Sequence, residues 1–589
     1  MTFTPPEPFT TRPTLRGTFG MAASTHWTAT ATAQSVLERG GNAFDAAAAA
    51  AFVLHVVEPH LNGPGGDLVA LVRPAGAEAP VVLMGQGPAP AGASIERFRA
   101  RGLDLVPGAG GMAAAVPGAV DAWLLLVRDH GTWELADVLA YAIGYARDGH
   151  PLVAGAAATI ARVAELFRDH WPSSAERWMP TGSPPAPDTL VRNPAWADVL
   201  DDLSAAGGAD RIARIDAARE RWMTVVLPEA ARFLEQPHRH ADGADHPGIL
   251  DATDLASWRA SFEPAVSTSF RGWDVFKAGA WSQGPALLHT LRLLEDAADL
   301  DPASPDGAHR LLEAQKLAYA DRDAWFGDAD GAVDVAALLA DDYVAARRDL
   351  IGPTASSELR PGSPDGRTPV LPPLRTDAVV ADGSTGEPTV DRSGQTRGDT
   401  CHVDVIDRWG NAVSATPSGG WLQSSPTVPS LGFCLGTRLQ ATWLIPGHPA
   451  SLTPGRRPRT TLTPTLLTRG DEVIAIGSPG GDQQDMWQLP VLLRMIVGGY
   501  SPQQAIDAPS LHTTALIDSF WPRTWSPAGV VVEDRLSDDV VAALEARGHR
   551  VRRAGDWALG RVTAVGCGAD GVLWAAANPR GAQGYAAGR

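Results

Sequence analysis

Thr400 is the residue of this sequence whose surroundings most favour covalent chemistry. It follows Asp399 at the end of residues 352–399, a segment rich in Pro, Gly, Ser, Thr and Asp. Such a linker can be cut without disturbing a packed core. Residues 400–416 alternate apolar and polar side chains around a Gly-Asn turn, which predicts a strand, a tight turn and a second strand. We therefore predict that the chain is cleaved between Asp399 and Thr400.

Cleavage at this point would turn Thr400 into an N-terminal nucleophile. A threonine hydroxyl is weakly nucleophilic at neutral pH, but the α-amine of the same residue, with a reference pKa near ~8, can accept its proton. In the precursor the hydroxyl would attack the carbonyl of Asp399 and form an ester that water opens. Two alternatives remain at this point: an ordinary threonine in a strand, and Cys401 as the nucleophile. For Cys401, a small buried thiol is the simpler explanation.

A second stretch, residues 473–482, is suited to stabilise an oxyanion. It predicts a buried strand, a glycine turn and the start of a helix. The backbone N–H groups of Gly480 and Gly481 can converge on one oxygen, helped by the positive end of the following helix. An ordinary strand-to-helix turn is the alternative interpretation.

Composition excludes several other classes of function. The 589 residues carry a net charge of −18 and are 44% hydrophobic and 20% charged, which is typical of a globular protein that does not bind nucleic acid or anionic membranes. Three scattered cysteines form neither a disulfide framework nor a zinc motif, so we expect no metal ion and no other cofactor. No apolar run reaches the ~18 residues of a membrane helix, and no signal peptide is visible. We expect a cytoplasmic protein without a membrane partner.

The predicted elements divide the chain into an early helix-rich part and a late strand-rich part on either side of the 352–399 linker. The glycine-rich loop 62–67 is interpreted as a turn in which backbone approaches backbone, because no Gly-Lys-Ser/Thr follows to make a phosphate loop. The main predicted helices are 31–39, 43–57, 119–128, 136–147, 156–169 and an amphipathic helix at 306–328. The late strands are 400–406, 412–416, 431–435, 462–467, 473–477, 528–532 and 561–575.

Six stretches carry a resemblance that runs nearly end to end: 37–47, 116–118, 313–322, 400–416, 457–465 and 477–481. In this order they resemble the γ-glutamyltransferase (glutathione hydrolase) family of N-terminal-nucleophile hydrolases. The resemblance implies an α+β fold, an αββα four-layer sandwich, formed jointly by two subunits of one precursor. Autocatalytic cleavage would produce a large subunit of 1–399 and a small, catalytic subunit of 400–589 that stay associated.

The resemblance also assigns roles to residues of the reaction centre. Thr400 corresponds to the catalytic threonine, and Gly480 and Gly481 correspond to the oxyanion-hole glycines. Ser418 lies where well-known members have a second threonine that orients the amine of the nucleophile. The residues that break the bond are therefore expected to be present.

The residues expected to recognise the substrate depart from the family pattern. Thr460 and Thr461 replace a serine pair that contacts the substrate carboxylate, keeping the hydroxyls and adding methyl groups. Gln86 stands where γ-glutamyl enzymes have an arginine that holds the same carboxylate, so a charge-assisted contact is missing. Arg438 is a candidate for binding a carboxylate placed differently from that of glutamate.

Three hypotheses follow about the activity. By family default the protein cleaves a small-molecule amide, such as the γ-glutamyl compound glutathione, through an acyl-enzyme on Thr400, by hydrolysis or acyl transfer. The replacement at Gln86 favours instead an amidase or acylase for a non-glutamyl amide, as in relatives that resemble oxamate or β-lactam side-chain amidases. The third hypothesis is an unprocessed, inactive relative with a binding role.

Overall fold

The structure, a computed structural model, describes residues 3–376 and 400–589. Asp399, the residue before the predicted cleavage point, and residues 377–398 lie outside this part. No helix in the two described ranges combines the length and the apolar character needed to cross a membrane.

The described residues form 21 strands. Their bounds are β1 Leu15–Gly17, β2 Gly20–Ser24, β3 Asp67–Arg73, β4 Val81–Gly85, β5 His150–Pro151, β6 Leu190–Val191, β7 His238–Arg239, β8 Asp245–His246, β9 Ser261–Pro264, β10 Val266–Phe270, β11 Trp273–Lys277, β12 Val403–Asp407, β13 Ala412–Ser418, β14 Thr465–Arg469, β15 Glu472–Gly477, β16 Leu511–Thr513, β17 Gly529–Val532, β18 Arg550–Arg553, β19 Thr563–Cys567, β20 Leu573–Ala577 and β21 Tyr585–Gly588.

Two seven-stranded sheets contain most of these strands. Their orders are β1-β20-β19-β15-β14-β11-β10 and β21-β2-β12-β13-β3-β4-β9. Each sheet combines strands from before and after the linker. In the second sheet β12 and β13 pair antiparallel with each other and lie between β2 and β3. Most of the helices lie before the linker, as expected, but the early part also supplies strands to both sheets.

Helices cover the outer face of each sheet. Their bounds are α1 Trp27–Glu38, α2 Ala43–Val57, α3 Ile95–Arg99, α4 Ala119–His130, α5 Leu135–Asp148, α6 Ala154–Arg162, α7 Ala164–His170, α8 Pro172–Trp178, α9 Pro194–Ser204, α10 Arg211–Arg221, α11 Leu227–Leu234, α12 Ala252–Ser257, α13 Pro285–Leu294, α14 Pro305–Trp325, α15 Val335–Leu338, α16 Asp341–Arg348, α17 Gln484–Ile496, α18 Pro502–Asp507 and α19 Asp538–Ala546.

Three apolar layers show how these elements stack. Side chains of both sheets meet in the middle layer, which contains Met21, Ala23, Val69, Leu71, Phe276, Leu466, Val473 and Val565. A second cluster joins the other face of the β12-containing sheet to α1, α2 and α4. A third joins the other face of the β15-containing sheet to α13, α14 and α17. The order helix, sheet, sheet, helix confirms the predicted αββα sandwich.

Helix α2 shows why the alanine-rich sequence suits its position. All 15 of its residues are buried. Asn42 and Asp45 form a capping box at its start, and Asp407 at the end of β12 accepts a 2.9 Å hydrogen bond from the N–H of Ala43. Small side chains let this helix approach the sheet closely, so that β12, the strand that follows Thr400, packs directly against α2.

Several local predictions are wrong. The helix at 306–328 is α14, which is buried almost all round rather than amphipathic, because the β16-β17-β18 sheet and α19 cover the side opposite its other helices. Residues 156–169 form two helices that break at Val163. Residues 431–435 form isolated bridges instead of a strand. Within the predicted linker, residues 352–376 contain neither helix nor strand.

Candidate active site

Thr400 lies at the entrance to the central strand β12. It forms an isolated antiparallel bridge with Ser418, the last residue of β13. The Oγ1 atom of Thr400 is 3.3 Å from the Oγ atom of Ser418. Both residues are only 1% exposed. The structure therefore brings the predicted nucleophile and the hydroxyl predicted to orient it within hydrogen-bond distance.

Cys401 is built into the opposite face of the same strand. Its Sγ atom donates to Oε2 of Glu58 at 3.0 Å and accepts from Nδ2 of Asn62 at 3.0 Å. Burial, and then the adjacent Glu58, raises the pKa of the Cys401 thiol well above its usual value. A thiol that is buried and held protonated is not a nucleophile, so the geometry disfavours the cysteine alternative.

His402 and Asp404 are functional candidates that the sequence reasoning missed. They lie two and four residues after Thr400 and are fully buried. The ring of His402 is hydrogen-bonded to Thr416 Oγ1 at 2.9 Å and to Asp404 Oδ1 at 2.8 Å. A Cβ atom added to Gly477 would lie 2.1 Å from this ring, so β12 contacts β15 directly here. The sequence could have indicated this pair, because Thr400, His402 and Asp404 occupy every second position of a predicted strand and such side chains share one face.

The glycine turn begins three residues after this contact. Gly480 has φ +117° and Gly481 has φ +54°, conformations that favour glycine. A Cβ atom on Gly480 would lie 2.2 Å from the ring of Trp487. The turn leads into a 3₁₀ turn at Gly481–Gln483 and then into α17. The predicted strand, glycine turn and helix are confirmed as local structure, and their role as oxyanion donors stays a prediction.

A buried ionic network anchors this turn. The carboxylate of Asp482 pairs with Arg322 of α14 and accepts hydrogen bonds from the N–H and Oγ of Ser519 at 2.7 and 2.6 Å. The carbonyl of Asp482 accepts from Tyr319 at 2.8 Å. Burial opposes ionisation of Asp482, but the charges of Arg322 and Arg459 outweigh it and hold its pKa below the usual value. The network ties the glycine turn to a helix from before the linker.

Replacing Arg322 with methionine is expected to destabilise the fold and slow the chemistry at the turn. Breaking a buried ion pair leaves the partner charge uncompensated and costs about 3–5 kcal/mol. Denaturant unfolding monitored by circular dichroism measures this loss.

Arg367→Met is the matched control. Arg367 pairs with Asp365 at the surface and stacks on Trp325 of the same helix, so about 1 kcal/mol or less is expected. Equal stability of the two variants would contradict the anchoring role of Arg322.

Thr460 and Thr461 lie beside the same turn. The N–H of Thr460 donates to the carbonyl of Trp281 at 3.0 Å, and its carbonyl accepts from the N–H of Gln283 at 2.9 Å. The side chain of Gln283 in turn donates to the carbonyl of Gly481 at 3.4 Å. The hydroxyl of Thr461 is buried and has no hydrogen-bond partner among the described residues. The role of the pair in substrate binding stays a prediction.

Gln86 and Arg438 line a narrow cavity together with Asp67 and Gly419, the neighbour of Ser418. The Oε1 atom of Gln86 is buried without a partner in the described ranges, while its Nε2 atom donates to the carbonyl of Gly87. Arg438 donates through Nε and Nη2 to the two carboxylate oxygens of Asp67, at 2.6 and 2.9 Å. The carboxylate bound by Arg438 therefore belongs to the protein itself.

The loop 62–67 places Asp67 in this cavity. Added Cβ atoms on Gly63 and Gly66 would lie 2.3 and 2.1 Å from the carbonyl oxygens of Gly420 and Ser418. This confirms the interpretation of the loop as a turn in which backbone meets backbone. Asp67 itself was missed, because nothing in the local sequence shows that its partner lies hundreds of residues later.

One group in the described part of the chain has the spacing of metal ligands. Ligand atoms of His309, Glu313 and His549 lie within 4.8 Å of one another. The carboxylate of Glu313 is already paired with Lys316 and with Arg360. Two neighbouring cations disfavour a further positive charge, so the arrangement is better suited to a structural network than to a metal.

The chain is similar to known proteins over nearly its whole length. The model of the gamma-glutamyltranspeptidase family matches residues 29–588. The chain belongs to this family. The glutathione hydrolase-like YwrD proenzyme of Bacillus subtilis (strain 168) is 30% identical over 577 residues, covering 96% of this chain and 98% of the relative. The oxamate amidohydrolase proenzyme of Klebsiella pneumoniae is 30% identical, and the match covers 97% of this chain and 98% of the relative.

A solved structure of a threonine-to-alanine variant of LmbA2991 is also similar. It is 53% identical, superimposes with a TM-score of 0.93 and matches 99% of this chain and 100% of its own. The predicted family and the prediction of an enzyme of amide hydrolysis or acyl transfer are confirmed. The names of these two relatives point to different substrates, so membership of the gamma-glutamyltranspeptidase family does not specify what this chain cleaves.

Proposed function

We propose that this member of the gamma-glutamyltranspeptidase family is a self-processing amidohydrolase that cleaves a small non-glutamyl amide through an acyl-enzyme on Thr400. The observation that carries the proposal is the approach of Thr400 to Ser418 on a strand that contacts β15, just before the turn at Gly480. This chemistry needs a buried hydroxyl as nucleophile, a second hydroxyl to orient the amine, and a glycine turn to stabilise the oxyanion.

The first reaction would be cleavage of the precursor. The Oγ1 atom of Thr400 attacks the carbonyl carbon of Asp399, the C–N bond breaks, and the nitrogen of Thr400 leaves as an amine. Water then hydrolyses the resulting ester. The proposed products are a subunit of 1–399 and a subunit of 400–589. Their association is supported by β12 and β13, whose outer neighbours β2 and β3 come from the other subunit.

The second reaction would act on the substrate. The free amine of Thr400 accepts the hydroxyl proton, Oγ1 attacks the amide carbonyl, and the N–H groups of Gly480 and Gly481 stabilise the oxyanion. The leaving amine departs with a proton, and water or another acceptor takes the acyl group from Oγ1. No step needs a metal ion.

The preference for a non-glutamyl substrate rests on Gln86 and Arg438. A neutral amide at position 86 cannot replace the bidentate, charge-assisted contact of an arginine with a carboxylate. Arg438 already binds Asp67 with both hydrogen bonds of a forked pair. A glutamyl α-carboxylate would have to displace Asp67, which would leave a buried carboxylate without its partner.

A pair of chromogenic amides tests this preference. The kcat/KM for butyryl-p-nitroanilide is expected to lie within about threefold of that for γ-glutamyl-p-nitroanilide. The butyryl compound lacks the charged head of the glutamyl group, its α-amino and α-carboxylate groups, but the enzyme is proposed to make few contacts to them. An enzyme that binds that head should lose roughly 10- to 100-fold for each charged contact removed.

Thr400→Ala is the control that separates enzyme-dependent release from spontaneous hydrolysis of either anilide. A strong preference of the wild-type enzyme for the glutamyl compound would contradict the proposed substrate class while leaving the Thr400 chemistry intact.

A further inference from the structure

A cavity of about 420 Å³ lies between the N-terminal segment and the end of α17. None of its lining residues belongs to the candidate active site. Its walls are largely apolar and aromatic, with Phe9, Tyr500, Leu536 and Trp557 among them. Its volume falls within the range of small-molecule sites, about 300–1,000 Å³.

Hydrogen bonds hold the N-terminal wall of the cavity in place. At one end, Thr4 donates through its N–H and its hydroxyl to Asp301 at 2.7 and 2.6 Å, and the hydroxyl of Tyr500 donates to the carbonyl of Thr4. At the other end, the N–H of Thr11 donates to Asp507 at 2.7 Å. The cavity is therefore bounded by anchored chain on both sides.

Arg494 is the unusual group in this cavity. It is 1% exposed, and its Nη2 atom donates to the carbonyl of Pro509 at 2.7 Å. Among the residues that the structure describes, no carboxylate pairs with it, and its Nε and Nη1 atoms make no hydrogen bond. Arg494 nevertheless lines the cavity. Burial lowers the pKa of this guanidinium to about 10.

Two nearby acidic groups already have other partners, whereas Glu7, which also lines the cavity, is exposed. Asp301 is held by Thr4, and Glu533 is paired with Arg535 and Arg580. Burying a cation without an ion pair is costly, and a bound anion removes that cost. The free N–H groups of Arg494 can donate charge-assisted hydrogen bonds to a carboxylate.

We propose that this cavity binds an organic carboxylate with an apolar body. The carboxylate lies against the guanidinium of Arg494, and the apolar body packs between Tyr500 and Trp557. Asp507 also lines the cavity, but its carboxylate is occupied by Thr11 and Gln503. The site is separate from Thr400 and does not depend on the proposed amidase activity.

Calorimetric titration of the wild-type protein with 4-phenylbutyrate and with its neutral analogue 4-phenylbutyramide tests the site. The acid is expected to bind and the amide to bind about 10- to 100-fold more weakly, because the amide lacks the charge-assisted contact. Arg494→Met should abolish this difference. Arg469→Met, which removes an arginine outside the cavity, should retain it.

Equal binding of acid and amide to the wild-type protein would overturn the proposal, and so would the absence of any binding heat at millimolar acid. Unchanged binding of the acid to Arg494→Met would also overturn it. If the methionine variant fails to fold, Arg494→Lys decides, since it keeps the positive charge but lacks the planar guanidinium. This variant should bind the acid more weakly than the wild type and still prefer it over the amide.

Discussion

Replacing Thr400 with alanine is expected to leave one uncut chain and to lower kcat by roughly 10⁴-fold or more. The substitution removes the hydroxyl that attacks in both proposed reactions, together with one methyl group. Its neighbourhood is otherwise unchanged, because the bridge between Thr400 and Ser418 is made by backbone. Intact mass and a denaturing gel measure the cleavage, and a chromogenic amide measures the turnover.

Wild-type protein should show two chains in the same experiment, with the smaller one beginning at Thr400. Cys401→Ser is the matched control one residue later. It keeps a hydrogen-bond donor for Glu58 and should be cut and active. Cleavage of the Thr400→Ala variant, or a wild-type chain that stays whole on prolonged incubation, would exclude Thr400 as the nucleophile.

Replacing Gly480 with alanine should have the second-largest effect. An L-residue is strained at φ +117°, and the new Cβ atom would lie 2.2 Å from the ring of Trp487. We expect a loss of stability of about 1–3 kcal/mol. Displaced oxyanion donors should slow precursor cleavage and turnover by about 10²–10³-fold. The half-time of cleavage and the thermal melting curve measure the two effects separately.

Gly470→Ala supplies the comparison. Gly470 also has positive φ, +59°, but a Cβ atom there meets nothing within 4 Å. It should cost about 1 kcal/mol through backbone strain alone and leave the cleavage rate unchanged. If Gly480→Ala matures as fast as Gly470→Ala, the N–H groups of this turn do not stabilise the oxyanion.

The fold explains how a cut at the linker can be tolerated. Strand β12 pairs with β2 on one side and, through β13, with β3 on the other. The glycine turn is tied to α14 by Arg322 and Asp482. Separating the two proposed subunits would require the rupture of both sheets and of this buried ion pair, so cleavage can release the amine of Thr400 without releasing the subunits.

Local sequence was sufficient to predict the elements that depend only on residues close to one another in the chain. The bounds of α2, the turn between β12 and β13 and the strand, turn and helix around Gly480 all follow from neighbouring residues. The motif order was sufficient for the family and the layered fold. Thr400 could be singled out because its chemistry depends on what directly precedes it.

Tertiary structure decided the features that depend on distant partners. The pairing of Arg438 with Asp67 joins residues 371 positions apart, and the pairing of Arg322 with Asp482 joins residues 160 positions apart. Periodicity also failed for α14, because a helix covered on several sides has no polar face to reveal its orientation. Sequence alone therefore singled out Thr400 as the proposed nucleophile, whereas only the packed structure showed that Arg438 and Asp482 are already paired within the protein.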